Sequence, residues 1–512
     1  MSKKLVAVIA AVGLAYTGAS WYFGKSYEDN TYAIVQNANQ DLRQFFGVEA
    51  PQIAIADYQR GIFSSTASYS INFEQAGSGE SLRLHDQIQH GPIPGLLQGK
   101  PQFGLAHSSI TLPKTDDYQE LFAITQQQSP FQLDTLLSFN LNADSTLNVI
   151  AMNHTSAKGD KVDFAGAQLQ LKSSNNLRDF TLSGEIQPLT IESQTDETQA
   201  FRLAKQSLKG HLSDFNGATQ SSAFEYLLEG ADIVQRDQSS VQLKQFSLKQ
   251  SDAATDHLLS FTGQYQLQEL LIDGQAIGQF TLGFKGKNFD QKIYRELLDL
   301  AKVGLQDSTE AQMAAQAKVG FLVLELLNKN PELHLTPISW RNAAGESTLS
   351  FNLTLAAPQG LDVLGNPQQA ASEILQDIGL SMDLSLPMLQ QAAETLMETE
   401  DFAEFQQQLP LLIEQASAEG LITQEAERVK LTLSFKQGIT QLNGQTITPE
   451  ELALLFQLLG SQFSAHEIEY DESEWELEDE DYPEDEQDAE EYDSEEQEEY
   501  APALETEALE QK

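Results

Sequence analysis

Apolar and polar residues alternate over most of the chain between residues 52 and 287. Segments 68–73 (SYSINF) and 242–248 (QLKQFSL) are typical: Phe, Leu, Ile and Tyr alternate with Ser, Asn, Gln and Lys. Such a period of two places one side of each strand on a core and the other in water. Turn residues at 77–79, 142–144 and 273–274 separate the segments. The pattern predicts a long antiparallel array, either a large curved sheet or a sandwich.

A helical period replaces the alternation before and after this array. We expect helices at 28–46, 290–328, 367–378, 387–418 and 448–459, strands at 333–337, 347–355 and 380–386, and a hairpin of 429–435 with 439–447. A second tight turn follows at Asn443-Gly444. The fold class is therefore α+β. We expect a β-rich region at 26–287 and a mixed helix and strand region at 288–466.

An uncharged apolar run begins at Leu5 and ends at Phe23. As a helix rising about 1.5 Å per residue it would be close to 30 Å long, the thickness of a bilayer's hydrocarbon core. Trp21 and Tyr22 would then lie in an interfacial aromatic belt. The run predicts an amino-terminal transmembrane helix, residues 1–25, that attaches the protein to the inner membrane.

The charges around this run predict its orientation. Lys3 and Lys4 precede it, and only Lys25 follows closely, which favours a cytoplasmic amino terminus and an exported body. In a bacterium the protein is then a single-pass inner-membrane protein with its body in the periplasm. A cleaved signal peptide is the alternative, with a weak cleavage site at 17–19.

The charge of the chain is concentrated at its carboxyl end. Of 76 acidic and 30 basic residues, segment 467–512 holds 24 and one, which is half of the net charge of −46. A segment of this composition cannot bury enough apolar surface to fold, so we predict a disordered acidic tail. The overall charge argues against a nucleic-acid partner, since phosphate binding needs a basic surface.

No constellation of catalytic side chains stands out. The chain has no cysteine, and its eight histidines are scattered without metal-ligand spacing. His85 and His90 are five apart on a predicted strand and should point to opposite faces. We find no nucleophile elbow, P-loop or dinucleotide fingerprint. We therefore predict no catalytic, cofactor-binding or metal-binding residues.

Two stretches are distinctive. Segment 58–65 (YQRGIFSS) opens the array, and its Arg60-Gly61 step predicts a bulge or tight turn with the guanidinium against an aromatic ring. Segment 90–95 (HGPIPG) predicts a sharp break after a strand, because proline cannot continue a ladder. We expect structural roles for both.

At these stretches the chain resembles the YdgA family, bacterial inner-membrane-anchored envelope proteins of unknown molecular function. Separate motifs match in the same order from the amino terminus to about residue 460. They comprise Lys3, Lys4, Trp21, Tyr22, Gly24 and Lys25; then Tyr58, Arg60, Gly61, Phe63, Ser64 and Ser65; then His90, Gly91 and Pro92; then Pro337, Ile338, Ser339 and Trp340 with Gly345, Glu346 and Ser347; and Asn443, Gly444 and Gln445. The resemblance implies an exported, membrane-anchored protein and supplies no catalytic residues.

Three functions are compatible with the sequence. The favoured one is a non-enzymatic envelope protein that scaffolds or binds a protein partner. The second is a lipid-handling protein, similar to anchored β-groove proteins, whose Phe- and Leu-lined sheet shields acyl chains. The third is an envelope hydrolase with dispersed residues. A continuous open apolar groove would support the second, a closed core the first, and a polar cleft with converging Ser, His and acid the third.

Overall fold

The period-two segments fold into one antiparallel sheet, in which the described residues form 24 strands. The computed structural model describes residues 3–46, 50–73, 81–175, 178–195, 198–215, 217–303, 309–358, 360, 373–436, 438–448 and 451. All elements named below lie within one compact unit, residues 1–449. The predicted disordered tail and the predicted helix at 448–459 lie outside the described residues, apart from residues 448 and 451.

Strands of the first half are mostly four to ten residues long. They are β1 Gln52–Arg60, β2 Ser64–Asn72, β3 Ser81–His90, β4 Ala106–Thr111, β5 Phe131–Leu137, β6 Ala143–Val149, β7 Met152–Thr155, β8 Lys161–Phe164, β9 Ala167–Ser174, β10 Asp179–Ile186, β11 Leu189–Glu192, β12 Thr198–Leu203 and β13 Gln206–Ser213.

Strands of the second half include four of 15 or 16 residues. They are β14 Ser221–Gln235, β15 Ser240–Thr255, β16 Leu258–Ile272, β17 Gln275–Asp290, β18 Glu332–Asn342, β19 Gly345–Leu355, β20 Leu375–Ser385, β21 Thr423–Glu425, β22 Arg428–Lys436, β23 Ile439–Leu442 and β24 Gln445–Ile447.

The order of strands in space follows their order in the chain. From β1 to β6 each strand pairs with the next, and the ladder continues through β9, β10, β13 and β14 to β20 and β22–β24. Four further strands pair in the order β7–β8–β11–β12, and β12 then pairs with β14, which joins them to the sheet. The array is therefore a meander within a single sheet, and of the two predicted alternatives it is not a sandwich of two separate sheets.

Helices are inserted into this meander at a few places. They are α1 Lys3–Phe46, α2 Gln119–Ile124, α3 Gln291–Val303, α4 Thr309–Leu327, α5 Leu386–Leu396 and α6 Thr399–Ala418. Helix α1 packs against β1, β3 and β4, α3 packs against α4 and β17, and α5 packs against β17–β20. The best-buried apolar cluster lies beneath α1 and includes Ala67, Ile88, Leu105 and Ala106.

The amino-terminal apolar run forms part of a longer helix. Among the described residues, no helix combines the length and the apolarity needed to cross a bilayer. The run is part of α1, and the second half of the run contacts the body: Tyr16 donates to the Ile93 carbonyl (3.1 Å) and Ser20 to the Gly91 carbonyl (2.7 Å). Trp21 and Tyr22 nevertheless keep 49% and 63% of their surface, and the attachment of this segment to a membrane stays a prediction.

Most of the other predicted elements are confirmed. The helices at 290–328 and 387–418 and the strands at 333–337 and 347–355 lie where expected, and the 429–447 hairpin ends in the Asn443-Gly444 turn. The predicted helix at 367–378 is wrong in its described last part. Its residues Leu375–Ile378 begin β20, where they pair with β19.

Candidate functional site

A single row of directly opposed residues runs across the sheet from β1 to β22. Opposed residues of antiparallel neighbours point to the same face. The row consists of Tyr58, Ala67, Asp86, Ile110, Leu133, Leu147, Leu169, Gly184, Leu208, Tyr226, Leu248, Tyr265, Leu282, Ile338, Leu349, Met382 and Leu431. All members except Asp86 and Gly184 carry an apolar or aromatic side chain. We call this set the apolar row.

The apolar row is only partly covered. Ala67 and Asp86, beneath α1, are buried, but the members from Ile110 to Leu431 are half-buried or exposed, and Leu282 keeps 38% of its surface. The alternate positions, such as Gln168, Glu225 and Lys249, are exposed and polar. The sheet therefore has a polar outer face and an apolar face that is partly accessible to solvent from Ile110 to Leu431.

Two cavities lie along this apolar face. The larger, of about 500 Å³, is formed by β15–β20. Its lining includes the row members Tyr265, Leu282, Ile338, Leu349 and Met382, together with Phe246, Leu267, Phe280, Trp340 and Leu384 of the neighbouring positions. The lining contains no Asp, Glu, Lys, Arg or His, so the cavity can contact a ligand only through apolar and uncharged groups.

Trp340 forms one wall of the larger cavity. Its ring stacks on Phe280 with centroids 5.4 Å apart, and its Nε1 donates to the Ile277 carbonyl at 3.0 Å. The only polar atom of the side chain is thus satisfied within the protein. The indole surface is what remains for a ligand to contact.

The other motif residues predicted from the sequence come together against α1. Arg60 forms an ion pair with Glu28 (2.9 Å) and lies over the Trp21 ring, 5.3 Å from its centroid. Tyr58 contacts Tyr32, with ring centroids 6.3 Å apart. The predicted placement of the Arg60 guanidinium against an aromatic ring is confirmed.

Segment 61–64 is the tight turn that brings these residues to the helix. The Gly61 N–H donates to the Ser64 carbonyl at 2.8 Å, and a Cβ on Gly61 would lie 2.7 Å from that oxygen. Phe63 stacks on Tyr16 of α1 with centroids 5.9 Å apart. The glycine is therefore needed for this turn, which positions Phe63 against the helix.

Segment 90–95 forms the second part of the surface that holds α1, together with segment 58–65; we call the two segments the dock. Strand β3 ends at His90, and the cis Gly91-Pro92 bond turns the chain away from the ladder, as predicted. Gly91 packs so closely on the Gly104 carbonyl that a Cβ would lie 2.1 Å from it. The carbonyl of Gly91 is thereby presented to Ser20 of α1.

His90 is the buried centre of the dock. Its Nδ1 lies 2.9 Å from the Ile62 carbonyl, which can only accept, so Nδ1 carries the proton and Nε2 accepts from Ser65 Oγ at 2.7 Å. Burial lowers the pKa of His90, which keeps the ring neutral. Gly24 of α1 lies directly on the ring. The Ser65–His90 pair is closed off from solvent and holds the helix; its geometry gives a substrate no access.

Asp86 is the one carboxyl group in the apolar row. It is fully buried and accepts from Ser108 Oγ (2.7 Å), the Ser109 N–H (3.1 Å) and Tyr69 Oη (3.2 Å). Burial raises the pKa of Asp86, although these donors lower it in part. Burial also raises the pKa of Tyr58 to about 12. His85 lies on the opposite face of β3, as predicted. Asp86, Tyr69, Ser108 and the Ser109 N–H form a structural hydrogen-bond network beneath α1.

The described residues contain no cluster of three or more potential metal ligands. The sequence analysis missed the apolar row and the contacts of Ser20 and Gly24. The alternation did predict one apolar face per strand, but its alignment across strands depends on registers that the hairpins set. Nothing in the pattern distinguishes Ser20 from other small residues of the apolar run, and Gly24 stood out only as part of a family motif, which gave no indication of its contact.

Comparison with known proteins places the chain in a family. The model of the family described as "Bacterial protein of unknown function (DUF945)" matches residues 1–450. The chain belongs to the DUF945 family. Among its relatives, Protein YdgA of Escherichia coli K12 is 25% identical over 498 residues, covering 90% of this chain and 97% of that protein. The resemblance to the YdgA family is thereby confirmed.

Two further DUF945 relatives are uncharacterised proteins. YihF of Escherichia coli K12 is 22% identical over 88% of this chain and 97% of its own length. A protein of Haemophilus influenzae Rd is 22% identical over 60% of this chain and 88% of its own length. No solved structure matches the chain. The family match supports no specific activity.

Proposed function

We propose that the protein binds the hydrocarbon chains of membrane lipids along the apolar row. The observation that carries this proposal is the row itself, because it continues through strand after strand without a charged side chain between Ile110 and Leu431. Large exposed apolar surfaces mark interaction sites in soluble domains. The protein acts here as a binder or carrier and catalyses no reaction.

Hydrocarbon fits this surface better than a peptide does. A peptide laid across the apolar face would bring N–H and C=O groups against Leu, Ile and Phe side chains, and each unpaired group costs about 1–3 kcal/mol. The sheet's own backbone groups are already paired in the ladders between neighbouring strands. An acyl chain brings no polar group, and each buried CH₂ stabilises the complex by about 0.8 kcal/mol.

The length of the row supports passage of a ligand along it. Strands lie about 4.8 Å apart, so the sixteen steps from β1 to β22 make a path of roughly 75 Å along the sheet. One acyl chain extends through half of a hydrocarbon core about 30 Å thick, or roughly 15 Å. The apolar row is therefore about five times as long as one extended acyl chain. The larger cavity falls within the roughly 300–1,000 Å³ that is typical of ligand sites.

We further propose that the body is exported and held at the bacterial inner membrane by its amino-terminal segment. The lysines before the apolar run support this orientation. A reporter that is active only after export, fused after Gly460, should be active, and the protein should remain in the membrane pellet after a high-salt wash. An inactive reporter, or release by salt, would contradict this location. The scaffolding role predicted from the sequence stays a prediction.

The lipid proposal is tested by titrating the full chain with a pyrene-labelled phosphatidylethanolamine and measuring bound fluorescence. Leu282→Arg places a charge on the row in the larger cavity and should lower the affinity at least tenfold, since an unpaired charge is costly to bury. Gln264→Arg adds the same charge on the exposed outer face and should bind like the wild type.

Leu282→Trp reduces the cavity without adding charge, and it should also weaken binding. Circular dichroism checks that each variant retains its strand content. If the wild type binds no labelled lipid, or if Leu282→Arg and Gln264→Arg bind equally, the proposal is wrong. A protein partner captured by the row with no displaceable lipid would favour scaffolding instead.

A further inference from the structure

A second, smaller cavity lies between α1 and the sheet. It has a volume of about 300 Å³. We call it the α1 pocket; its lining is Tyr27, Asn30 and Ile34 of α1, Leu141 of the β5–β6 turn, and Thr135, Leu137, Ala143, Ser145, Leu171, Ser173 and Phe180 of β5, β6, β9 and β10. This lining, too, contains no Asp, Glu, Lys, Arg or His.

The α1 pocket is continuous with the apolar face. Two neighbouring lines of directly opposed residues form its floor. One line is Thr135, Ser145 and Leu171; the other, two positions further along each strand of β5, β6 and β9 on the same face, is Leu137, Ala143, Ser173 and Phe180. Leu171 in turn is two residues from Leu169 of the apolar row. A chain lying in the pocket would therefore rest on the surface that leads to the larger cavity.

Helix α1 uses separate stripes for docking and for the pocket. Ser20, Gly24 and Glu28 hold the helix on segments 58–65 and 90–95, at helical spacing of four. Asn39 continues this attachment by bonding both the N–H and the carbonyl of Ile53 on strand β1. The helix is thus fixed along one side by directional contacts.

Tyr27, Asn30 and Ile34 are three and four residues apart and form a second stripe, which roofs the pocket. The Asn30 amide donates to the Ser26 carbonyl of its own helix at 2.7 Å. Ile34 keeps 49% of its surface, and Leu141 and Leu171 opposite it keep 37% and 43%. The mouth of the pocket is therefore apolar on the helix side and on the sheet side.

We infer that the α1 pocket is the portal through which a lipid chain passes between the membrane and the apolar row. This inference rests on the proposed function. The helix that roofs the pocket also carries the amino-terminal apolar run, and Ile34 follows the end of that run by about 16 Å along the helix axis. The pocket therefore lies under the same helix that carries the segment proposed to lie at the membrane.

The test is the rate at which the full chain takes up labelled lipid from vesicles. Donor vesicles of phosphatidylethanolamine and phosphatidylglycerol carry a self-quenched pyrene-labelled phosphatidylethanolamine, and stopped-flow fluorescence follows its transfer to the protein. Leu171→Trp fills the pocket from the sheet, and Ile34→Trp fills it from the helix. The matched controls are Gln168→Trp on the outer face of β9 and Gln36→Trp on the exposed side of α1.

If the pocket is a portal, Leu171→Trp and Ile34→Trp should each slow the rate of lipid uptake by roughly tenfold or more, while the final amount of lipid bound stays that of the wild type. Both controls should match the wild type in rate and amount. If the wild type takes up lipid and the filled variants do so at its rate, the portal inference is wrong and the proposed function stands. If the wild type takes up no lipid, the proposed function fails and the portal with it.

Discussion

Gly24 packs directly on the His90 ring, and its replacement by alanine tests how α1 is held on the sheet. A Cβ built on Gly24 lies 2.3 Å from His90 Cε1 and 2.4 Å from Nδ1. The ring cannot move freely, because Ser65 Oγ and the Ile62 carbonyl fix its two nitrogens. The new methyl group must therefore displace either the ring or the helix.

Two opposing effects determine the magnitude. Alanine favours a helix over glycine by about 1 kcal/mol. Against this, forcing an extra carbon into a packed contact costs about 1–3 kcal/mol, and weakening the buried hydrogen bonds of His90 adds about 1–3 kcal/mol. These terms sum to a net loss of about 1–5 kcal/mol of local stability for α1, and a loss of about 2 kcal/mol, towards the lower end, raises its opening equilibrium roughly 30-fold.

Hydrogen exchange followed by mass spectrometry measures this opening directly. Peptides covering residues 20–39 should exchange roughly 30-fold faster in Gly24→Ala than in the wild type. Gly18→Ala is the matched control, because a Cβ there meets nothing within 4 Å, and only the helix propensity changes. Exchange in that variant should be unchanged or slower. Equal exchange in the two variants would refute the docking of Gly24 on His90.

Three further predictions concern stability, measured by denaturant unfolding. Burial lowers the pKa of His90, so below pH 6.5 the unfolded state binds more protons than the folded state. The free energy of unfolding should therefore fall, by up to about 1.4 kcal/mol per pH unit, as the pH drops from about 6.5 towards the folded pKa. His90→Gln should remove this slope. Burial raises the pKa of Asp86, so stability should fall as pH rises from about 4 to the folded pKa; an unchanged slope in Asp86→Asn would contradict this. Trp340→Ala removes the hydrogen bond to the Ile277 carbonyl and the stack on Phe280, at a cost of about 2–4 kcal/mol. Trp340→Phe, which restores a ring, should recover part of that loss.

Local patterns predicted the elements well, because strand and helix periods are properties of short segments. The alternation at 242–248 forms part of β15, and Asn443-Gly444 turns between β23 and β24 with φ of 50° and 81°, as a glycine-containing tight turn requires. The breaks at Arg60-Gly61 and Gly91-Pro92 were likewise predictable, since glycine and proline act on the backbone where they stand.

Contacts between distant segments were not predictable in this way. The run from Leu5 to Phe23 suits a bilayer and a protein interface equally well, because both reward apolar side chains. Only the positions of Ile93 and Gly91 show that Tyr16 and Ser20 dock on the body. The apolar row depends on the register of every hairpin, and a slip of one residue would point a strand's side chains to the other face.

The most direct measurement of the central claim is native mass spectrometry of the full chain, extracted gently from bacterial membranes. The account predicts adducts whose masses match phospholipids and which leave on mild activation. It also predicts that they are lost from Leu282→Arg and retained by Gln264→Arg. A wild-type protein that carries no lipid adduct, or adducts equally abundant in both variants, would contradict the proposal that the apolar row binds lipid chains.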